Sequence, residues 1–398
     1  MAQPDKDPIN DFSIVLGGPL HRMFVASRLA TPELGLKARR IAAVSMIAWL
    51  PLVVLAAVEG RLMVGTIQLP FLYDLEVHIR LLVVIPVLLL SEVVLHLRLK
   101  SVVIQLVERG IVGEVDLPQF RSCLQSLRRC SESKTAELVL FIAVLAVGFF
   151  LWTKYLILGG STAGAWYVDR DADSTRLTAA GRWYVFVSIP IVQFLVCRLY
   201  FRVILWFRFL WQVSRFRLHL DPVHGDGVGG LGFLGDSCQA FVMLLVANSA
   251  LFAAMLLTRI LHGGYVLFDF KAALAFLVVA PVAVVMAPLL AFSVQLTQAR
   301  WRGSRNYGLL MSEYAQAFDG KWFATPSQPR SELLGSEDIE VLDSMVDSYR
   351  AAYEMRVFPM SRSTLTRLLL ASALPYVPLA LTVVPVEVLV QELIKLVL

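Results

Sequence analysis

The chain has 398 residues, of which 57% are hydrophobic and only 17% charged, with a mean hydropathy of +0.68. Soluble domains carry about 45–50% apolar and about 25% charged residues, which argues against a soluble globular enzyme, a disordered chain or a collagen-like one, and four cysteines are too few for a disulfide scaffold. An all-α polytopic membrane protein remains. Its net charge of +5 is expected to mark the cytoplasmic side rather than a nucleic-acid partner, since no basic run interleaved with aromatics lies outside the membrane-flanking loops.

The first forty residues are polar and mixed in charge, without the apolar stretch of a signal peptide. Within this N-terminal segment (1–40), residues 12–29 read as an interfacial helix broken by Gly17-Gly18-Pro19, with Arg22 and Arg28 towards anionic headgroups. A membrane span needs about 20 mostly apolar residues. Seven stretches qualify, near 41–58, 77–96, 138–158, 183–204, 239–261, 271–294 and 367–386. The first six form a region 41–294 with cytoplasmic loops at 97–137 and 205–238. A cytoplasmic helical segment follows at 295–366, then a Pro-rich helix at 367–398.

With the N-terminus inside, 27 of the 36 Lys and Arg fall on the cytoplasmic side, which predicts an outer C-terminus. Trp152, Tyr155, Trp166, Tyr167, Trp183 and Tyr184 cluster at the outer ends of the third and fourth spans, where amphipathic rings settle at headgroup depth. In the cytoplasmic segment Ser336 is a plausible N-cap. Ile339, Leu342, Met345, Val346, Tyr349 and Tyr353 then recur at helical spacing, an apolar stripe that needs either neighbouring cytoplasmic helices or another subunit.

The most unusual stretch is RFRLHLDPVHGDGVGGLGFLG at 215–235. His219, Asp221, His224 and Asp226 are all potential metal ligands, but Asp221-Pro222 and the glycines break any helix that would align them. A turn whose Asp and His cap the next helix is the plainer reading. Gly225, Gly227 and Gly230 match GxGxxG, yet no strand precedes them, so no dinucleotide cofactor is expected. Gly227, Gly229 and Gly230, with Arg215 and Arg217 upstream, could form a backbone nest for a phosphate or lipid headgroup. Close packing of the loop explains the glycines equally well.

Arg198, Arg202, Arg208 and Arg215 do not share one helical face, which argues against a voltage sensor. They are expected to snorkel to the inner surface. The polar groups expected within the membrane are neutral: Gln193, Asn248, Ser249 and Tyr376. No buried carboxylate or histidine of a proton-coupled pump is evident there, which favours a passive path. Pro375, Pro378 and Pro385 should bend the last helix, leaving Glu387 and Glu392 near its outer end. The four cysteines are expected to be reduced and structural.

The strings FSIVLGGPL, GGLGFLG, FDGKW, LLGSEDIEVL and MRVFP resemble a large family of bacterial integral membrane proteins of unknown function. The resemblance implies a multi-pass protein of the bacterial inner membrane and transfers no site residue. Seven spans with an inner N-terminus also match the layout of insect odorant-receptor channels, in topology alone. The leading expectation is a homo-oligomeric channel or permeation protein with Gln193, Asn248, Tyr376 and Glu387 as pore candidates. A membrane enzyme or lipid-binding protein using loop 219–235, or a scaffold or sensor acting through 296–366, are the alternatives. Membrane lipids are the expected partners, with no cofactor and no catalytic residue assigned.

Overall fold

The structure is a computed structural model that describes residues 12–15, 19–28, 37–63, 69–157, 165–171, 174–323 and 337–380. Its described part is almost entirely helical. The helices are α1 (Pro19–Ala26), α2 (Lys37–Val58), α3 (Leu75–Glu108), α4 (Leu117–Ser131), α5 (Lys134–Ile157), α6 (Ala179–Val213), α7 (Gly232–Gly263), α8 (Leu267–Trp322), α9 (Glu337–Tyr353) and α10 (Arg362–Ala373). One small hairpin pairs β1 (Val168–Asp171) with β2 (Ser174–Leu177), antiparallel, Val168 opposite Leu177.

Five of these helices, α2, α3, α6, α7 and α8, are long and apolar enough to cross a membrane, which makes the protein an all-α polytopic one. The reason is visible in α2. Val44, Ala48, Leu52 and Ala56, four residues apart, form a buried stripe, while Ile47, Leu50, Val54 and Val58 on the remaining faces are exposed. A helix apolar all round has no face to give to water. The apolar helix α5 lies at the third expected span, and Arg362–Ala380 is the described part of the seventh. Residues 381–398, with Pro385, Glu387 and Glu392, lie outside the described residues, as does Ser336.

The central span is α3, which packs against α2, α6 and α7; α5 and α4 pack on α6, and α10 lies against α7 and α8. Two spans widen into a π-helical turn, Ile79–Val84 in α3 and Tyr184–Ser188 in α6, each followed at once by a proline, Pro86 or Pro190. Proline lacks the N–H that would close the preceding turn, and the wider turn accommodates the break. In α6 the turn also places Ser188, whose hydroxyl donates to the carbonyl of Ala48 on α2 at 2.7 Å.

Several helices run further than the expected spans. The sixth expected span lies within α8, a helix of 56 residues that runs well past the expected boundary at 294. α9 folds back along it, and Leu342, Met345, Val346 and Tyr349 are half-buried in that pairing, so the apolar stripe meets a neighbouring helix of the same chain. Gly303 and Gly308 on α8 let it close in: a Cβ on Gly308 would reach the Tyr349 ring at 3.2 Å. At the opposite, less basic end, Trp166 is fully buried, donating to Asp74 at 3.0 Å and set edge-on to Phe71. Trp166 and Tyr184 are thus core residues of the end cap, not rings exposed at headgroup depth.

Candidate functional site

The glycine loop between α6 and α7 is pinned at its start. An antiparallel bridge joins Leu218 to Val112, and the His219 N–H donates to Ile111 at 2.9 Å. The His219 ring lies over Gly113, where a Cβ would come within 2.7 Å of Cε1. Asp221 accepts from the N–H of Val223 at 3.0 Å in a local turn. Asp226 accepts from three backbone N–H groups, Val228 at 2.9 Å, Gly230 at 3.1 Å and Gly232 at 2.8 Å, and lies 3.0 Å from His224 Nδ1. Burial pushes the Asp226 carboxyl up, but these three donors outweigh it and hold it below the usual carboxylate range.

This arrangement sorts the sequence candidates. Among the described residues no three His, Cys, Asp or Glu groups come together to hold a metal ion. Gly227, Gly229 and Gly230 do adopt positive φ, at 65°, 66° and 90°, as a nest requires. The nest already contains an anion, the side chain of Asp226. Arg215 stacks on Trp211 at 4.6 Å, the Arg217 N–H donates to Asp116 at 3.1 Å, and neither lines the cavity beside the loop.

That cavity, about 660 Å³, lies between the basic end of α3, the glycine loop and the start of α10. Arg98 and Arg109 reach it from α3, Arg356 from the linker after α9, and Arg367 from α10. Arg356 is fixed: it donates to Asp226 O at 2.7 Å and Met360 O at 2.9 Å, while its own N–H donates to Gly227 O at 2.8 Å. Arg109 sits 5.1 Å over the Phe233 ring. Of the two carboxylates on the wall, Asp226 is committed to the loop, and Asp236 accepts from the Thr364 hydroxyl at 3.1 Å. Four guanidinium groups therefore face one polar space whose two acids are occupied. The cue in the sequence was helical: residues 98, 101, 105 and 109 are Arg, Ser, Gln and Arg on one face of α3.

A second polar assembly is buried in the bundle. Glu92 on α3, 2% exposed, accepts from Arg202 at 2.9 Å, pairs with Arg40 at 3.2 Å and accepts from Arg198. Arg198 also donates to Glu137 on α5 at 2.9 Å. Arg202 donates to Val15 O at 3.1 Å, tying in the buried segment 12–15. Arg198 and Arg202 therefore turn inward to Glu92 rather than out to the surface, because one turn of α6 presents both to the same point of α3. Glu92, which the sequence puts at the inner end of the second expected span, is thus a buried carboxylate.

The described pore candidates lie at separate places. Gln193 lies in the α5–α6 interface, its Oε1 3.2 Å from a Cβ built on Gly148. Tyr376 belongs to a separate small cluster with Ala253, Leu256 and Leu379. Asn248 is half-buried on α7, and Glu387 is outside the described residues. Compared with family models, curated proteins and solved structures, the chain matches none of them.

Proposed function

We propose that this multi-pass membrane protein binds a phosphate-bearing anion on its cytoplasmic face, in the cavity framed by Arg98, Arg109, Arg356 and Arg367. The observation that carries this reading is the excess of four guanidinium groups over two carboxylates around one open polar cleft. Guanidinium pairs with phosphate oxygens in a bidentate fork, and Arg356, already held by backbone carbonyls, is pre-organised for it. The reading is preferred to a permeation path because the polar groups gather here, whereas Gln193 and Tyr376 lie in different helix interfaces. In a bacterial inner membrane, which the sequence resemblance implies, both lipid headgroups and soluble phosphate esters would reach this face.

The test is thermal unfolding of the purified full chain with glycerol 3-phosphate, inorganic phosphate or chloride added. Phosphate compounds should raise the transition where chloride does not, and Arg98→Gln with Arg367→Gln should abolish the rise. A ligand at about 100 times its Kd stabilises by about 2.7 kcal/mol, an easily read shift. Equal response to chloride and phosphate, or an undiminished response in the double variant, would reject the proposal.

A further inference from the structure

A groove of about 940 Å³ opens between α1, α2, α5 and α6, on the half of the bundle away from α10. Its walls are almost wholly apolar. Met23, Ile47, Leu138 and Phe141 present exposed side chains to it, and Phe194 of α6 lines it beside Phe141. Its polar groups gather at the basic end, where Lys134 and Glu137 stand at the start of α5. From Lys134 to Leu145, the extent of the groove along α5, the helix rises about 16 Å, half of a hydrocarbon core of about 30 Å. The groove therefore spans about one leaflet.

Charge decides what fits. Glu137 is the edge of the buried assembly, paired with Arg198, and behind it lie Glu92, Arg40 and Arg202. Among these described groups, four cations (Arg40, Lys134, Arg198, Arg202) stand against two carboxylates (Glu92, Glu137). We infer that this groove holds an acyl chain of an anionic phospholipid, its headgroup at Lys134. The apolar wall takes the chain, and the excess positive charge at the basic end selects a negative headgroup over a zwitterionic one. Leu379, near the last described residue, packs with Phe252 of α7 and Leu274 of α8, on other elements than those that wall the groove.

The experiment uses the full chain reconstituted in vesicles of equal parts phosphatidylcholine and phosphatidylglycerol, then extracted and weighed by native mass spectrometry. The wild type should retain phosphatidylglycerol in preference to phosphatidylcholine. Lys134→Ala should lower that preference about fivefold, the factor of a single lysine at a membrane surface. Leu138→Trp, which fills the groove from an exposed position, should abolish retention with the melting transition unchanged; Ile47→Trp is the second variant should Leu138→Trp unfold. Equal retention of both lipids by the wild type would overturn the inference. So would retention undiminished in the folded tryptophan variant, or lost in Arg98→Gln instead, which would place the lipid in the cytoplasmic cavity.

Discussion

Glu92 holds three guanidinium groups from two helices, so its removal leaves Arg40, Arg198 and Arg202 facing one another with only Glu137 nearby. Breaking a buried pair from one side costs about 3–5 kcal/mol, because the remaining charge stays buried without compensation. Glu92→Gln should therefore lower stability in detergent by that order, and more than Glu137→Gln, which loses the bond to Arg198; chemical unfolding of the two variants measures the difference. Asp226 supports a different argument. Its folded carboxyl titrates below the usual range, so its contribution is fully present above the unfolded value near 4 and is lost as pH falls through the lower folded value. Asp226→Asn keeps the atoms but not the charge. It should flatten the acid limb of a stability-against-pH curve and cost about 1–3 kcal/mol at neutral pH.

At the level of elements, the linker after α9 joins the α8–α9 hairpin to the glycine loop. A Cβ on Gly235, at the start of α7, would lie 2.3 Å from the carbonyl oxygen of Pro359, and a rigid backbone cannot move aside. Gly235→Ala should therefore lift residues 355–360 from the glycine loop and break the Arg356 bonds to Asp226 and Gly227. Trypsin cleavage at Arg356 should become faster than in the wild type while cleavage at Arg350 changes less. The α8–α9 hairpin is held separately. Asp338 is kept below the usual carboxylate range by Lys321 and by the Trp322 indole at 3.1 Å, and Tyr314 donates to its carbonyl at 3.0 Å. Cutting the linker should thus leave α9 paired on α8.

For the whole molecule, the charge count predicts which end faces the cytoplasm, and the fold supplies positions to test it. Arg176 in β2 is exposed, Ser348 on α9 is partly exposed, and the two lie at opposite ends of that prediction. In a background with the native cysteines replaced, Arg176→Cys should react with a membrane-impermeant maleimide on intact cells, and Ser348→Cys only after permeabilisation. Labelling of both on intact cells would reject the expected orientation.

Composition alone determined the class, because helices apolar on every face, such as α2, leave the chain no soluble arrangement. Runs of apolar residues located most spans, and helical spacing the stripe of α9, since both depend on near neighbours in the chain. The ends were less legible: α8 runs on past Pro281 and Pro288, and no turn residue at 294 marks where apolar sequence becomes polar helix. What pairs with what was decided only by the tertiary structure. The partner of Glu92 lies 106 residues away in Arg198, and Asp226, one of four look-alike metal ligands, proved to be the anion of its own glycine nest. A residue type and its spacing specify what a side chain can bind; only packing brings the helices together that decide what it does bind.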